Sequence, residues 1–195
     1  MGKQIICIIP TRVGSSRFPG KPLAKINGIP MLGHVYFRSK MSRSMDEVYV
    51  ATRDEEIREY VEGVGGYVVM TKDTHERAWD RTVEAMMKIE EARGEKVDIV
   101  VMIQGDEPML YPEMIDEAVM PLIENKKNQI VDRMALLRSR EEHEDPNEIK
   151  EVVDSSKDSP IISQERPFHP VRYTDGMEKS PCISRYTLYP FAESI

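Results

Sequence analysis

Apolar and polar positions along this chain fall into blocks whose period switches repeatedly between that of a strand and that of a helix. Ile5 to Ile9 is an unbroken apolar run, the pattern of a parallel strand covered on both faces, and it predicts a strand over about 4–9. Asn27-Gly28 reads as a turn, and Pro30 suits the start of a helix whose Met31, Leu32, Val35 and Tyr36 recur at helical spacing. Glu47 to Thr52 reads as a second strand, and Asp54 as the cap of a helix with Ile57, Val61 and Val64 along one side and Gly65-Gly66 at its end. A third strand is expected over 67–71, followed by a long helix over about 78–93 that turns Thr82, Met86 and Ile89 inward and stops at Gly94. Val97 to Ile103 reads as a fourth strand, continuously apolar from Ile99 on. Pro112 then opens a helix with Ile115, Val119, Leu122 and Ile123 facing the core and Pro121 as a kink.

This alternation of strand and helix predicts a mostly parallel sheet flanked by helices, an α/β fold of Rossmann-like type. Beyond about residue 126 the rhythm loosens into a β-rich stretch: short strands are expected at 134–137, 149–153 and 160–163, and a last one over 185–191. A length of 195 residues and 40% hydrophobic content suit a single domain, with a wound sheet over 1–125 and a second part over 126–195.

Charge adds an asymmetry. The net charge is −7, which argues against nucleic acid and anionic membrane as partners. Yet residues 1–45 hold eight Lys/Arg and no Asp or Glu, leaving −15 on the remainder. Of these cations, Lys3, Arg38, Lys40 and Arg43 read as ordinary surface. The apolar runs are too short to span a bilayer, and no signal-like segment precedes the first strand, so a cytoplasmic location is expected. Cys7 and Cys182 make neither a disulfide framework nor a zinc spacing and read as buried thiols.

Two stretches carry candidate chemistry, each at the end of a buried strand. The first, Pro10-Thr11-Arg12 running into Gly14-Ser15-Ser16-Arg17-Phe18-Pro19-Gly20-Lys21-Pro22, differs from a Walker A loop in glycine spacing and in having proline after the lysine. It still combines glycines, hydroxyls and cations suited to phosphate, with a plain structural turn as the alternative. The second, Gln104-Gly105-Asp106-Glu107-Pro108, offers a carboxylate that could share Mg2+ with phosphates or merely serve a turn.

Together with Gly28-Ile29-Pro30-Met31, His34-Val35-Tyr36, Val50-Ala51-Thr52, Gly65-Gly66, Met70-Thr71, Asp145-Pro146-Asn147, Lys150 and Val152-Val153-Asp154, these stretches resemble the 3-deoxy-manno-octulosonate cytidylyltransferases, or CMP-Kdo synthetases. The resemblance spans residues 4 to about 154. It implies a Rossmann-like nucleotidyltransferase fold, a homodimer, and transfer of CMP from CTP to an acidic sugar, Kdo, with Mg2+ and release of pyrophosphate, for lipopolysaccharide precursor synthesis. Carried over by position, it implies Pro10, Thr11, Arg12 and Arg81 at the nucleotide, Ser15, Arg17 and Lys21 at the triphosphate, Gln104 and Arg166 at the sugar, and Asp106 on the metal, with Arg12, Lys21 and Asp106 the catalytic set. It also assigns residues 126–195 to sugar binding and dimerisation.

The match departs in three places. Arg77-Ala78-Trp79 stands where the family reads Ser-Gly-Thr, Ser163-Gln164-Glu165-Arg166 replaces Ser-Arg, and Arg185 stands for a histidine. The family also continues past residue 195 with a further metal-binding aspartate, so the chain is expected to be incomplete at its C-terminus. The alternatives are therefore CMP activation of another acidic sugar, an amino-Kdo or a nonulosonic acid, or an inactive homologue that only binds nucleotide. Among single residues, Met86, Met87, Met102 and Met120 read as core filling and Trp79 as packing, while His75, after the third strand, reads as an uninvolved surface histidine with reach to the site as the alternative.

Overall fold

The computed structural model describes residues 3–14 and 18–126 throughout, positions 128, 130, 131, 139, 141, 144 and 145, and beyond these the backbone of five strands. The strands are β1 (Ile5–Pro10), β2 (Lys25–Ile26), β3 (Ile29–Pro30), β4 (Glu47–Thr52), β5 (Tyr67–Met70), β6 (Ile99–Ile103), β7 (Arg133–Leu136), β8 (Lys150–Val153), β9 (Pro160–Ile161), β10 (Cys182–Tyr186) and β11 (Leu188–Ala192). The helices are α1 (Met31–Lys40), α2 (Glu55–Gly63), α3 (Ala78–Arg93) and α4 (Pro112–Glu124). Two compact units result, one of Met1–Asp132 with Thr187–Ile195 and the other of Arg133–Tyr186.

The first unit is built on a five-stranded sheet in the order β11-β6-β1-β4-β5. Strand β1 is central and parallel to both neighbours, with Ile8 opposite Tyr49 on β4 and Met102 on β6. Strand β5 continues in parallel from β4, and β11 closes the other edge antiparallel to β6. The expected α/β fold with a mostly parallel sheet is the one found.

Side chains alternate across a strand, and β1 shows why its apolar run has no polar gaps. Ile5, Cys7 and Ile9 pack into a core with Leu32, Val35 and Tyr36 of α1, Ile57 and Val61 of α2, and Ile115, Val119 and Leu122 of α4. Ile6 and Ile8 pack into a second core with Ala85 and Ile89 of α3 and with Val97 and Val100. Cys7 is fully buried, and that burial pushes its thiol far above the usual range, which suits an inert packing residue.

Several expectations need correction. Ile123 is 40% exposed, and Ala118 takes the core place expected of it, because 115, 118, 119 and 122 follow the helical stripe more closely. Val64 lies past the last residue of α2 and is exposed. Met87 and Met120 face solvent on their helices, unlike the buried Met102. The single terminal strand expected over 185–191 is two strands in different sheets, with β10 in a four-stranded antiparallel sheet ordered β7-β10-β8-β9. An apolar run shows that a segment is covered but not which neighbour covers it.

If the two-sided burial of β1 carries the unit, Ile8→Ala should cost about 2–5 kcal/mol of stability. Urea unfolding would measure it, and a loss below about 1 kcal/mol would show that one face of the strand is not closely packed.

Candidate active site

Strand order decides where ligands can enter. The chain leaves β1 for β4 on one side, whereas β6 pairs on the other, so the crevice beyond the carboxyl ends of β1 and β6 is the topological switch point of the sheet. A cavity of about 690 Å3 lies there. Its floor is Pro10 at the end of β1 with Thr11, Arg12 and Gly14 after it, and one side is Phe18, Lys21 and Pro22 of the following loop with Met31. Gln104, Gly105 and Asp106 after β6 form a second side, and His75 to Ala78 with Arg81 of α3 form the third.

The loop after β1 is shaped by backbone bonds made far from its cations. Thr11 N–H donates to the Ala51 carbonyl at 2.9 Å, which carries the end of β1 along β4. Val13 accepts from Gly20 N–H at 3.0 Å, closing the loop on itself, while Val13 N–H donates to Asp54 Oδ2 at 2.7 Å. Gly20 takes φ 75°, a left-handed conformation that a side chain would strain, and this reverses the chain into the 3-10 turn Lys21–Leu23. Asp54 stands at the N-cap position of α2 as expected, but its side chain does not cap the helix; it serves the neighbouring loop instead.

The β6 loop reaches the same place because Gly105 has no side chain. A Cβ there would lie 3.0 Å from both Cβ and Oγ1 of Thr11, tighter than side chains ordinarily pack. This approach brings Asp106 to Lys21, whose Nζ lies 2.7 Å from Asp106 Oδ2. Both side chains are well exposed, so the pair is worth no more than about 1 kcal/mol and can yield to a ligand. Burial raises the neighbouring Glu107 carboxyl above its ordinary range, and the charge of Asp106 adds to this, with Lys21 opposing.

Arg81 is the most buried charge at the cavity, 3% exposed. It bonds Thr71 Oγ1 and donates to the Lys72 carbonyl at 3.4 Å, but its buried Nη2 has no hydrogen-bond partner. Burial lowers its pKa first, and the nearby charges of Arg53 and Arg12 lower it further, while Asp54 and Glu84 oppose them. An unsatisfied donor in a crowd of cations favours an anionic or carbonyl acceptor in the cavity.

Of the residues singled out from sequence, Pro10, Thr11, Arg12, Lys21, Arg81, Gln104 and Asp106 all line this one cavity. Ser15, Arg17 and Arg166 lie outside the described residues. For His75 the alternative holds rather than the uninvolved surface histidine, since it lines the cavity and pairs through Nε2 with Glu84. Glu84 also accepts from Lys72 N–H at 3.0 Å and pairs with Lys88 at 2.7 Å, tying α3 to the loop that forms the third wall. Nothing in the sequence pointed to Glu84, a polar residue on a helical surface. Trp79 is half-buried and absent from the described lining, in keeping with packing.

As to metal, no group of three or more His, Cys, Asp or Glu suited to a cation exists among the described residues. Mg2+ does not need one, because it is commonly held by one or two carboxylates, waters and substrate phosphates. Asp106, with its partly exposed carboxylate at the cavity, fits that mode.

The sequence pattern of the family described as Cytidylyltransferase matches residues 6–191. The chain belongs to the cytidylyltransferase family. A 3-deoxy-manno-octulosonate cytidylyltransferase of Geobacter metallireducens is 41% identical over 161 residues, 83% of this chain and 61% of that protein. An 8-amino-3,8-dideoxy-manno-octulosonate cytidylyltransferase of Shewanella piezotolerans is 40% identical, covering 85% of this chain and 67% of that one. A solved CMP:2-keto-3-deoxy-manno-octonic acid synthetase complexed with CTP superposes with a TM-score of 0.84 at 31% identity, over 97% of this chain and 74% of the other. This cytidylyltransferase chain therefore spans between three fifths and three quarters of the length of these three proteins.

The Glu84 contacts make a pH prediction. Burial raises its pKa, but hydrogen bonds from Lys88, Lys72 N–H and His75 outweigh this and bring it to about 2. A carboxylate depressed on folding stabilises the protein above its unfolded pKa of about 4.3 and loses that contribution as pH falls toward the folded value. The stability difference between wild type and Glu84→Gln should thus be constant from pH 7 to about 5 and shrink between about 4.5 and 2. Denaturant melts across that range would show it, and a difference that stays constant down to pH 2.5 would refute it.

Proposed function

We propose that this chain is a cytidylyltransferase that transfers CMP from CTP to 3-deoxy-manno-octulosonate and releases pyrophosphate. The observation that carries the reading is the cavity at the switch point, where Arg12, Lys21 and Arg81 converge on the same space as Asp106. The solved relative holds CTP on a closely similar fold.

The chemistry asks for two things, an in-line approach of the sugar's anomeric hydroxyl to the α-phosphorus and neutralisation of charge on the departing pyrophosphate. Arg12 and Lys21 supply fixed positive charge where the triphosphate would lie. Lys21 exchanges its exposed partner Asp106 for phosphate oxygens at little cost, freeing the carboxylate. Asp106 would then hold Mg2+, which when bound neutralises phosphate charge. The unpartnered Nη2 of Arg81 takes an acceptor from the nucleotide, and Gln104, beside Asp106, offers an amide to the sugar. No side-chain nucleophile is required, because the sugar hydroxyl itself forms the new O–P bond as the bond to pyrophosphate breaks.

Ser15 and Arg17 complete the triphosphate cradle on this reading, and Arg166 belongs to the sugar site. The protein works in the cytoplasm, where CTP is available, and as a homodimer, which light scattering on the purified protein would check. A second reading, activation of the 8-amino sugar, is favoured by the Shewanella relative at 40% identity.

With CTP and Mg2+, pyrophosphate release should require the sugar acid, and a panel of Kdo, 8-amino-Kdo and a nonulosonic acid would identify it. Asp106→Asn should lower kcat at least about 10^2-fold while changing CTP affinity little, as loss of a group acting on developing charge does. Turnover unchanged in Asp106→Asn would remove that residue from the reaction. Calorimetric CTP binding without turnover on any sugar would instead leave a nucleotide-binding homologue.

A further inference from the structure

Two residues that do not line the cavity connect two of its sides. They follow β4 directly, beginning where Thr52 is wholly buried and its Oγ1 accepts from Asp54 N–H at 3.1 Å. From there Asp54 Oδ2 accepts from Val13 N–H at 2.7 Å, and Asp54 Oδ1 lies 3.7 Å from Arg53 Nε. Arg53 Nη1 in turn donates to the carbonyl of Asp73 at 3.0 Å. Its Nη2 lies against Gly14, 3.6 Å from where a Cβ would be. The result is a continuous strut from the loop after β1, through Asp54 and Arg53, to the segment that leads into His75–Ala78.

We propose that Asp54 and Arg53 are positioning residues for the nucleotide, setting the spacing between the phosphate loop and the wall formed by residues 75–78. Val13 joins the loop to this strut: it is held by Asp54 through its N–H and closes the loop through its carbonyl to Gly20. A shift at Val13 therefore moves Lys21 with it, since Gly20 immediately precedes Lys21.

The strut also settles a charge problem. The Arg81 guanidinium, already disfavoured by burial, feels the charges of Arg53 and Arg12 as well, and Asp54 is the foremost carboxylate that offsets them there. It lets three arginines stand together before any anion arrives. A residue acting only as a helix cap would have neither effect, and Asp54 makes no side-chain cap bond.

This inference rests on the cavity being a CTP site, and the test separates the two claims. CTP affinity by calorimetry, CTP KM and kcat would be measured on the intact protein for wild type, Asp54→Ala, Asp54→Asn and Arg53→Ala, with hydrogen exchange of the segment 11–20. Asp54→Ala should weaken CTP binding and raise its KM about tenfold, keep kcat within about twofold, and speed exchange around Val13 at an unchanged unfolding midpoint. Asp54→Asn keeps an oxygen for Val13 N–H and should recover slow exchange and most of the affinity. Arg53→Ala should weaken CTP about threefold. Wild type that fails to bind CTP sinks the nucleotide reading and this proposal with it. Wild type that binds, with Asp54→Ala and Arg53→Ala matching it within twofold, overturns the strut alone. Should Asp54→Ala not fold, Arg53→Ala decides: affinity equal to wild type overturns the proposal.

Discussion

Strand β1 can end where it does only because both of its faces and both of its edges are taken. Ile5, Cys7 and Ile9 are held by one layer of helices, Ile6 and Ile8 by another, and β4 and β6 take up the backbone on either side. A strand so constrained has no freedom of register, since a slip of one residue would exchange every side chain between cores. The position of Pro10-Thr11-Arg12 in space is thus a consequence of packing some distance away. The same constraint brings β6 alongside, so that Gly105 can lie against Thr11 and Asp106 can face Lys21.

Electrostatics then operates inside this frame. Arg12, Arg53 and Arg81 form a cationic cluster, with Asp54 and Glu84 as local counter-charges, while Asp106 and Glu107 concentrate negative charge a short distance away. Such separation of signs across one cavity suits a substrate that is a polyanion carried with a divalent cation. It also explains why the chain can be acidic overall and still present a positive pocket: Arg12 and Lys21 of the cation-rich residues 1–45 meet Arg77 and Arg81 from further along the chain at one cavity.

Much of this was legible in the sequence, for identifiable reasons. The β1 run, the α1 stripe Met31, Leu32, Val35 and Tyr36, and the cation-bearing glycine loop are local signals, and local signals survive folding. The Gln104–Asp106 stretch was legible because it ends a wholly apolar strand, where a carboxylate has little other business. What could not be read depends on partners far along the chain. Asp54 looked like a helix cap because it precedes Glu55, and only the placement of β4 beside β1 shows that its oxygen is nearer to Val13 than to its own helix. His75 looked idle because Glu84, its partner, is nine residues away on a helix face. The division of residues 182–192 between two sheets escaped for the same reason, since hydrophobicity does not name a neighbour.

The residues that escaped share a role, and it follows from the division of labour in such a site. Groups that meet a triphosphate must be able to let it go, and on the proposed reading this is why Lys21 and Asp106 are exposed and loosely paired. Loose groups are useful only if their backbones are fixed, because a displacement of about 1 Å can cost two orders of magnitude in rate. That fixing falls to Val13 bonded to Asp54, to Arg53 on the Asp73 carbonyl, and to Glu84 on Lys72 and His75. Each draws on a carboxylate or guanidinium whose own partner is a protein group rather than the ligand. The cavity thus separates mobile charge from fixed charge, and holds the second in place with side chains the substrate need not touch.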